Sequence, residues 1–71
     1  MLEEIKSVIG KYMNVLGVDY IVNYDEARNK LQIGTATNNS FLVHKEITYD
    51  NEFSLDNNLM ALYNEATYPL F

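Results

Sequence analysis

Cysteine is absent from the chain, proline occurs once, histidine once, glycine three times, and five basic residues stand against ten acidic ones. Each scarcity excludes something. Without cysteine there are no disulfides, no thiolate metal sites and no cysteine nucleophile, and the composition fits a reducing compartment. A lone histidine, His44, cannot build a usual transition-metal site, and beside Lys45 and Glu46 in a strand-like stretch it reads as a solvated side chain rather than a general base. Gly10, Gly17 and Gly34 form no phosphate-cradling cluster, and Asp50–Asp56 lacks the central glycine and spaced acids of a calcium loop. No metal, cofactor or enzymatic activity is therefore expected. With so few bases there is no basic stripe to neutralise phosphates, which disfavours direct nucleic-acid binding. No apolar run approaches the roughly 20 residues of a membrane span. The opening "MLEEIKSVIGKYM" carries acids where a signal peptide needs bases, so a soluble, cytoplasmic protein is expected.

What is present is acid, tyrosine and a short amphipathic pattern. The net charge is −5 over 71 residues, a strong negative field that favours a protein partner with a basic surface. A chain this short buries only about 60% of the surface its unfolded form exposes. With disulfides excluded, self-association is the remaining source of stability, and a homodimer is expected.

The residues 1–71 read as one small domain with a C-terminal tail, 67–71. Apolar residues at 2, 5, 8, 9, 12, 13 and 16 form one stripe of a 3.6-residue period, which predicts a helix with Glu3 and Glu4 in its first turn and Gly17 as its C-cap. Val18, Tyr20, Val22 and Tyr24 alternate with polar residues as a strand does. Residues 25–30 are a polar turn, and Leu31 and Ile33 mark a second strand. Asn38, Asn39 and Ser40 supply turn chemistry. In a third strand Phe41, Val43, Ile47 and Tyr49 share one face, with His44, Glu46, Thr48 and Asp50 on most of the other. Ser54 can cap a last helix whose stripe is Leu55, Leu59, Leu62, Tyr63 and Ala66. The order is α-β-β-β-α, an α+β fold in which a three-stranded antiparallel meander packs against one or two amphipathic helices. Tyr12, Tyr20, Tyr24, Tyr49 and Tyr63 are expected to complete a thin core with their hydroxyls at its rim.

The tail Thr67-Tyr68-Pro69-Leu70-Phe71 resembles the short peptide, typically Gln-Leu-Ser/Asp-Leu-Phe, by which bacterial polymerases and clamp loaders hold the DNA sliding clamp. Leu70 and Phe71 match it, Tyr68 replaces a leucine, Thr67 and Pro69 depart, and the glutamine is missing. The resemblance implies that the Leu70-Phe71 pair fills an apolar pocket on a clamp. The small, acidic, cysteine-free format is similar to that of bacteriophage proteins that disable host machinery. Together these imply an inhibitor whose acids stand in for DNA phosphates at the clamp's basic interior, with Tyr68, Pro69, Leu70, Phe71, Glu3, Glu4, Asp25 and Glu26 as the partner-binding residues. The alternatives are a DNA-mimicking blocker of a nuclease or defence system, in the manner of an anti-CRISPR, and an assembly module that dimerises through its helices without inhibiting anything.

Overall fold

The computed structural model describes residues 2–67; the tail residues Tyr68, Pro69, Leu70 and Phe71 lie outside them. The fold is α+β: α1 (Leu2–Lys6), β1 (Tyr12–Val15), β2 (Val18–Asp25), β3 (Lys30–Thr37), β4 (Ser40–Thr48) and α2 (Leu55–Thr67). The strands form one antiparallel sheet in the order β1-β2-β3-β4. This is a four-stranded meander, one strand more than the three expected.

The extra strand comes from the stretch that periodicity assigned to one long helix. The helix stops at Lys6, and Gly10, at φ 84°, turns the chain into β1. Residues 12–15 satisfy the period of a strand as well as that of a helix. Met13 and Val15 point to the core while Tyr12 and Asn14 face away, and pairing with β2 decides the outcome. Gly17 is not a helix cap. Leu16 and Gly17, at φ 52° and 90°, form a two-residue hairpin loop between the paired Val15 and Val18, and two positive φ angles match the twist of the strands. Asn14 fastens this loop, accepting the Gly17 N–H and donating to Asp19 Oδ1.

β2 and β3 follow the sequence reading, with Val22, Leu31 and Ile33 buried and Tyr20 and Tyr24 packed beside them. β4 does not. Its register with β3 shifts by one residue, since Ile33 pairs with Lys45 but Gly34 with Val43, leaving His44 bulged. The bulge reverses the parity of the strand. Ile47 and Tyr49 face the helices, whereas Phe41 and Val43 share the opposite face with Glu46, a correction to the single shared face expected. His44 is likewise on the helix side and not on the polar face expected, stacked parallel on Tyr20 with ring centroids 4.6 Å apart, and it is an exposed side chain as the sequence reading has it. Gly34 is obligatory at the bulge: a Cβ there would sit 2.0 Å from the Leu42 carbonyl oxygen.

α2 lies across the sheet, against β4, β3 and β1. Its Leu62 and Ala66 close the core of Val15, Val22, Leu31 and Ile33. Ser54 caps it as expected, its Oγ accepting the Asn57 N–H at 3.1 Å. α1 contributes Ile5, which is fully buried. Four of the five tyrosines join this core or its edge, but Tyr12 is 72% exposed, because it belongs to the sheet face that carries no helix. No helix among the described residues is long and apolar enough to cross a membrane.

Candidate protein-binding surface

The charge is sorted by layer. Between Lys11 and Thr48, the sheet and its turns hold four acids (Asp19, Asp25, Glu26, Glu46) and four bases (Lys11, Arg28, Lys30, Lys45). The helix-bearing segments hold Glu3, Glu4, Asp50, Glu52, Asp56 and Glu65 against Lys6 alone. The whole excess of −5 therefore sits on the helix layer, and the sheet is neutral.

The acids of the sheet are also largely spent internally. Arg28, in the β2–β3 turn, donates to Asp25 at 2.8 Å through Nε and to both Glu46 oxygens, the shorter bond being 2.8 Å. Glu46 also accepts from Gln32 Nε2, and Gln32 Oε1 accepts from Asn23, at 2.9 Å each. Hydrogen bonding to Arg28 holds the Asp25 carboxyl below its usual range. The Gln32 amide, and then Arg28, do the same for Glu46. The two carboxylates in turn push the Arg28 guanidinium up. Of the expected binding acids, then, Asp25 is occupied by Arg28, whereas Glu26, Glu3 and Glu4 are exposed.

A cleft opens where α1 meets the ends of β2 and β4. Ile5 of α1, Tyr24, Asn29, Tyr49 and Asp50 line this space of about 410 Å³. Asn29 secures it, accepting from the Tyr24 hydroxyl, donating to the Tyr49 carbonyl at 3.0 Å and receiving the Tyr49 N–H in return.

The outer side of α2 supplies what the acids lack, an apolar element. Phe53 and Met60 are 59% and 61% exposed. They border a shallow groove of about 330 Å³ floored by Asn57, Ala61 and Asn64. On the other side of Met60 lies a second hollow of about 450 Å³, lined by Met13, Asp56, Leu59 and Tyr63. Asp56 lines the second hollow, Asp50 shares a hollow with Phe53, and after Lys45 the sequence has no basic residue at all.

The approach to the helix is held rigid by Asn58, which is buried on α2. Its Oδ1 accepts the Asp50 N–H at 2.9 Å, and its Nδ2 donates to the carbonyls of Asp50 at 2.8 Å and Ser54 at 2.9 Å. That side chain fixes the loop bearing Asp50, Glu52 and Phe53 against the helix. The ridge and its fastening were not among the residues expected from sequence. The run of acids without bases after Lys45 is a signal in the sequence that marks the acidic segment, whereas nothing local marks Asn58.

Among the described residues no group of three or more His, Cys, Asp or Glu side chains is placed to hold a metal ion. No protein-family model, no curated protein and no solved structure matches this chain.

Proposed function

We propose that this protein is a protein-binding inhibitor whose acidic helix layer covers a basic, DNA-binding surface on another protein. The observation that carries the reading is the sorting of charge: the entire net charge lies on α1, α2 and the loop before α2, while the sheet is neutral. A charge excess kept merely for solubility has no reason to avoid one layer. Acids spread over a rigid face steer association toward a basic partner, and the exposed Phe53 and Met60 among them offer apolar anchors of the kind that hold a complex once formed. On this reading the acids replace DNA phosphates and the partner loses access to DNA. The DNA sliding clamp is the first target to test, since its ring encloses DNA and the tail Tyr68–Phe71 offers a second apolar docking element. A nuclease of a defence system has the same surface chemistry and belongs in the same experiment.

The experiment is comparative capture from a bacterial lysate. Three baits are used: the wild-type protein, a helix-layer variant (Asp50→Lys with Glu52→Lys and Asp56→Lys), and a sheet variant (Asp19→Lys with Glu26→Lys). Proteins retained by wild type and sheet variant but lost by the helix-layer variant should be DNA-binding. Equal retention by all three baits would remove the helix layer as the binding surface.

A further inference from the structure

The sheet has a second face that no described helix covers. Both helices pack on the side of Val22, Leu31 and Ile33, and the register arranges the other side in cross-strand rows. Tyr12, Ile21, Gly34 and Val43 form one row across all four strands, with Ala36 and Phe41 beside it. Tyr12 is 72% exposed and Val43 45%. The neighbouring rows hold the closed polar lattice of Asn23, Gln32, Glu46, Arg28 and Asp25. An apolar row of this kind on an open face marks a site of association.

Charge selects the occupant. On this face Asp19, Asp25 and Glu46 stand against Arg28 and Lys30, with Asp25 and Glu46 paired to Arg28, so a second copy of the chain meets little net repulsion there. Two helix layers brought together would oppose like charges, which turns the dimer away from the helix-mediated arrangement considered from sequence. Edge-to-edge pairing is obstructed as well, because β4 is bulged at His44 and carries Lys45, and β1 has only four residues; both are devices that blunt a sheet edge. The area suits a weak dimer. Three strands about 4.8 Å apart over the roughly 20 Å from Asp19 to Asp25, with the short β1 beside the first rows, give a footprint of about 350 Å². Two such faces bury about 700 Å² in total, the scale of a weak, concentration-dependent contact.

We infer that the uncovered sheet face is the contact of a two-fold dimer, with the two sheets stacked about 10 Å apart and the acidic helix layers facing outward. An axis parallel to the strands sets Tyr12 of one copy over Val43 of the other, and each apolar row meets its own counterpart, as an isologous interface requires. The helix layers stay free, so the dimer offers two acidic faces in opposite directions. The inference is independent of what those faces bind.

Sedimentation equilibrium of the full chain, in a concentration series reaching about 1 mM, tests it alongside circular dichroism. The expected result is twice the 8.2 kDa chain mass at the upper concentrations. Tyr12→Glu combined with Val43→Glu should abolish the doubling, while Met60→Glu on α2 should not. Should the double variant lose its circular-dichroism signal, spin labels decide instead, because the chain has no cysteine of its own. Labels at Val43→Cys should lie closer together across the dimer than labels at Met60→Cys. A folded monomer throughout the series overturns the inference. So does a dimer that survives the sheet variant but not Met60→Glu, and so does the reverse order of label distances.

Discussion

Replacing Asn58 should loosen the candidate surface and the fold together, in amounts the structure allows to be worked out. Asn58 is 4% exposed and makes three strong side-chain bonds, one to the Asp50 N–H and two to the carbonyls of Asp50 and Ser54. In Asn58→Ala the Ser54 carbonyl keeps the backbone N–H of residue 58, but the Asp50 N–H and carbonyl lose the partner that fastened them. At about 1 kcal/mol per net bond, and more for a buried group left unsatisfied, the loss is about 2–4 kcal/mol. A chain of this length has about 4–11 kcal/mol of stability in all, so Tm should fall by about 10–25 °C. Asn58→Asp is the sharper probe. The introduced carboxylate still accepts the Asp50 N–H, but it faces two carbonyl oxygens that need a donor. Burial and those oxygens raise its folded pKa above the unfolded value, so the stability it confers is present at low pH and is lost as pH rises through the folded pKa. This variant should therefore be more stable near pH 4 than near pH 7, relative to wild type. Urea unfolding at several pH values is the assay. A loss below about 0.5 kcal/mol in Asn58→Ala, or no pH dependence in Asn58→Asp, would refute the fastening role.

Leu62, fully buried under α2, should lose about 2–5 kcal/mol on truncation in Leu62→Ala, enough to leave much of so small a domain unfolded in a thermal melt; a melt like that of wild type would mean α2 is not seated on the sheet. Leu16 holds φ 52° in the first hairpin while 60% exposed, a left-handed conformation costing a branched residue about 1–2 kcal/mol; Leu16→Asn should raise Tm, and a lowered Tm would contradict the hairpin geometry. Asp25 and Glu46 have folded pKa values held down by Arg28 and Gln32, so their contribution is present above the ordinary carboxylate pKa of about 4 and is lost as pH falls through the lower folded values. The Tm difference between wild type and Arg28→Met should accordingly be open at neutral pH and close on acidification; a difference that widens with acid would reverse the assignment.

Legibility in the sequence followed the strength of local signals. β2, β3, the Asn38-Asn39 turn and the Ser54-capped α2 each combine periodicity with a turn or cap residue, and each stands where those signals place it. The α1–β1 region failed because positions 12, 13 and 16 continue a helical stripe arithmetically. Only Gly10, and the fit of Tyr12–Val15 beside β2, break it. β4 failed for another reason. A one-residue bulge at His44 reverses every subsequent side chain, and nothing local at Val43-His44-Lys45 announces it; the cause is the close approach of Gly34 to the Leu42 carbonyl across the ladder. Asn58 is illegible in the sequence because an asparagine suggests solvent, although it lies three residues after Leu55 and four before Leu62 on the inward side of α2. Of the expected binding residues, Glu3, Glu4 and Glu26 are exposed and Asp25 is engaged by Arg28. The four tail residues fall outside the described part of the chain.

We propose that the helix layer, and not the acidity of the chain as a whole, directs binding to a basic DNA-binding surface. The most direct test of this proposal is the rate of association with a bacterial DNA sliding clamp, followed over a salt series for wild type, the helix-layer variant and the sheet variant used in the capture experiment. The wild-type rate should fall steeply with salt as screening shortens the reach of the charges, the fall should be equally steep for Asp19→Lys with Glu26→Lys, and the rate should be slow and nearly salt-independent for Asp50→Lys with Glu52→Lys and Asp56→Lys. Equal slowing by the two variants, or association by wild type that is indifferent to salt, would contradict it.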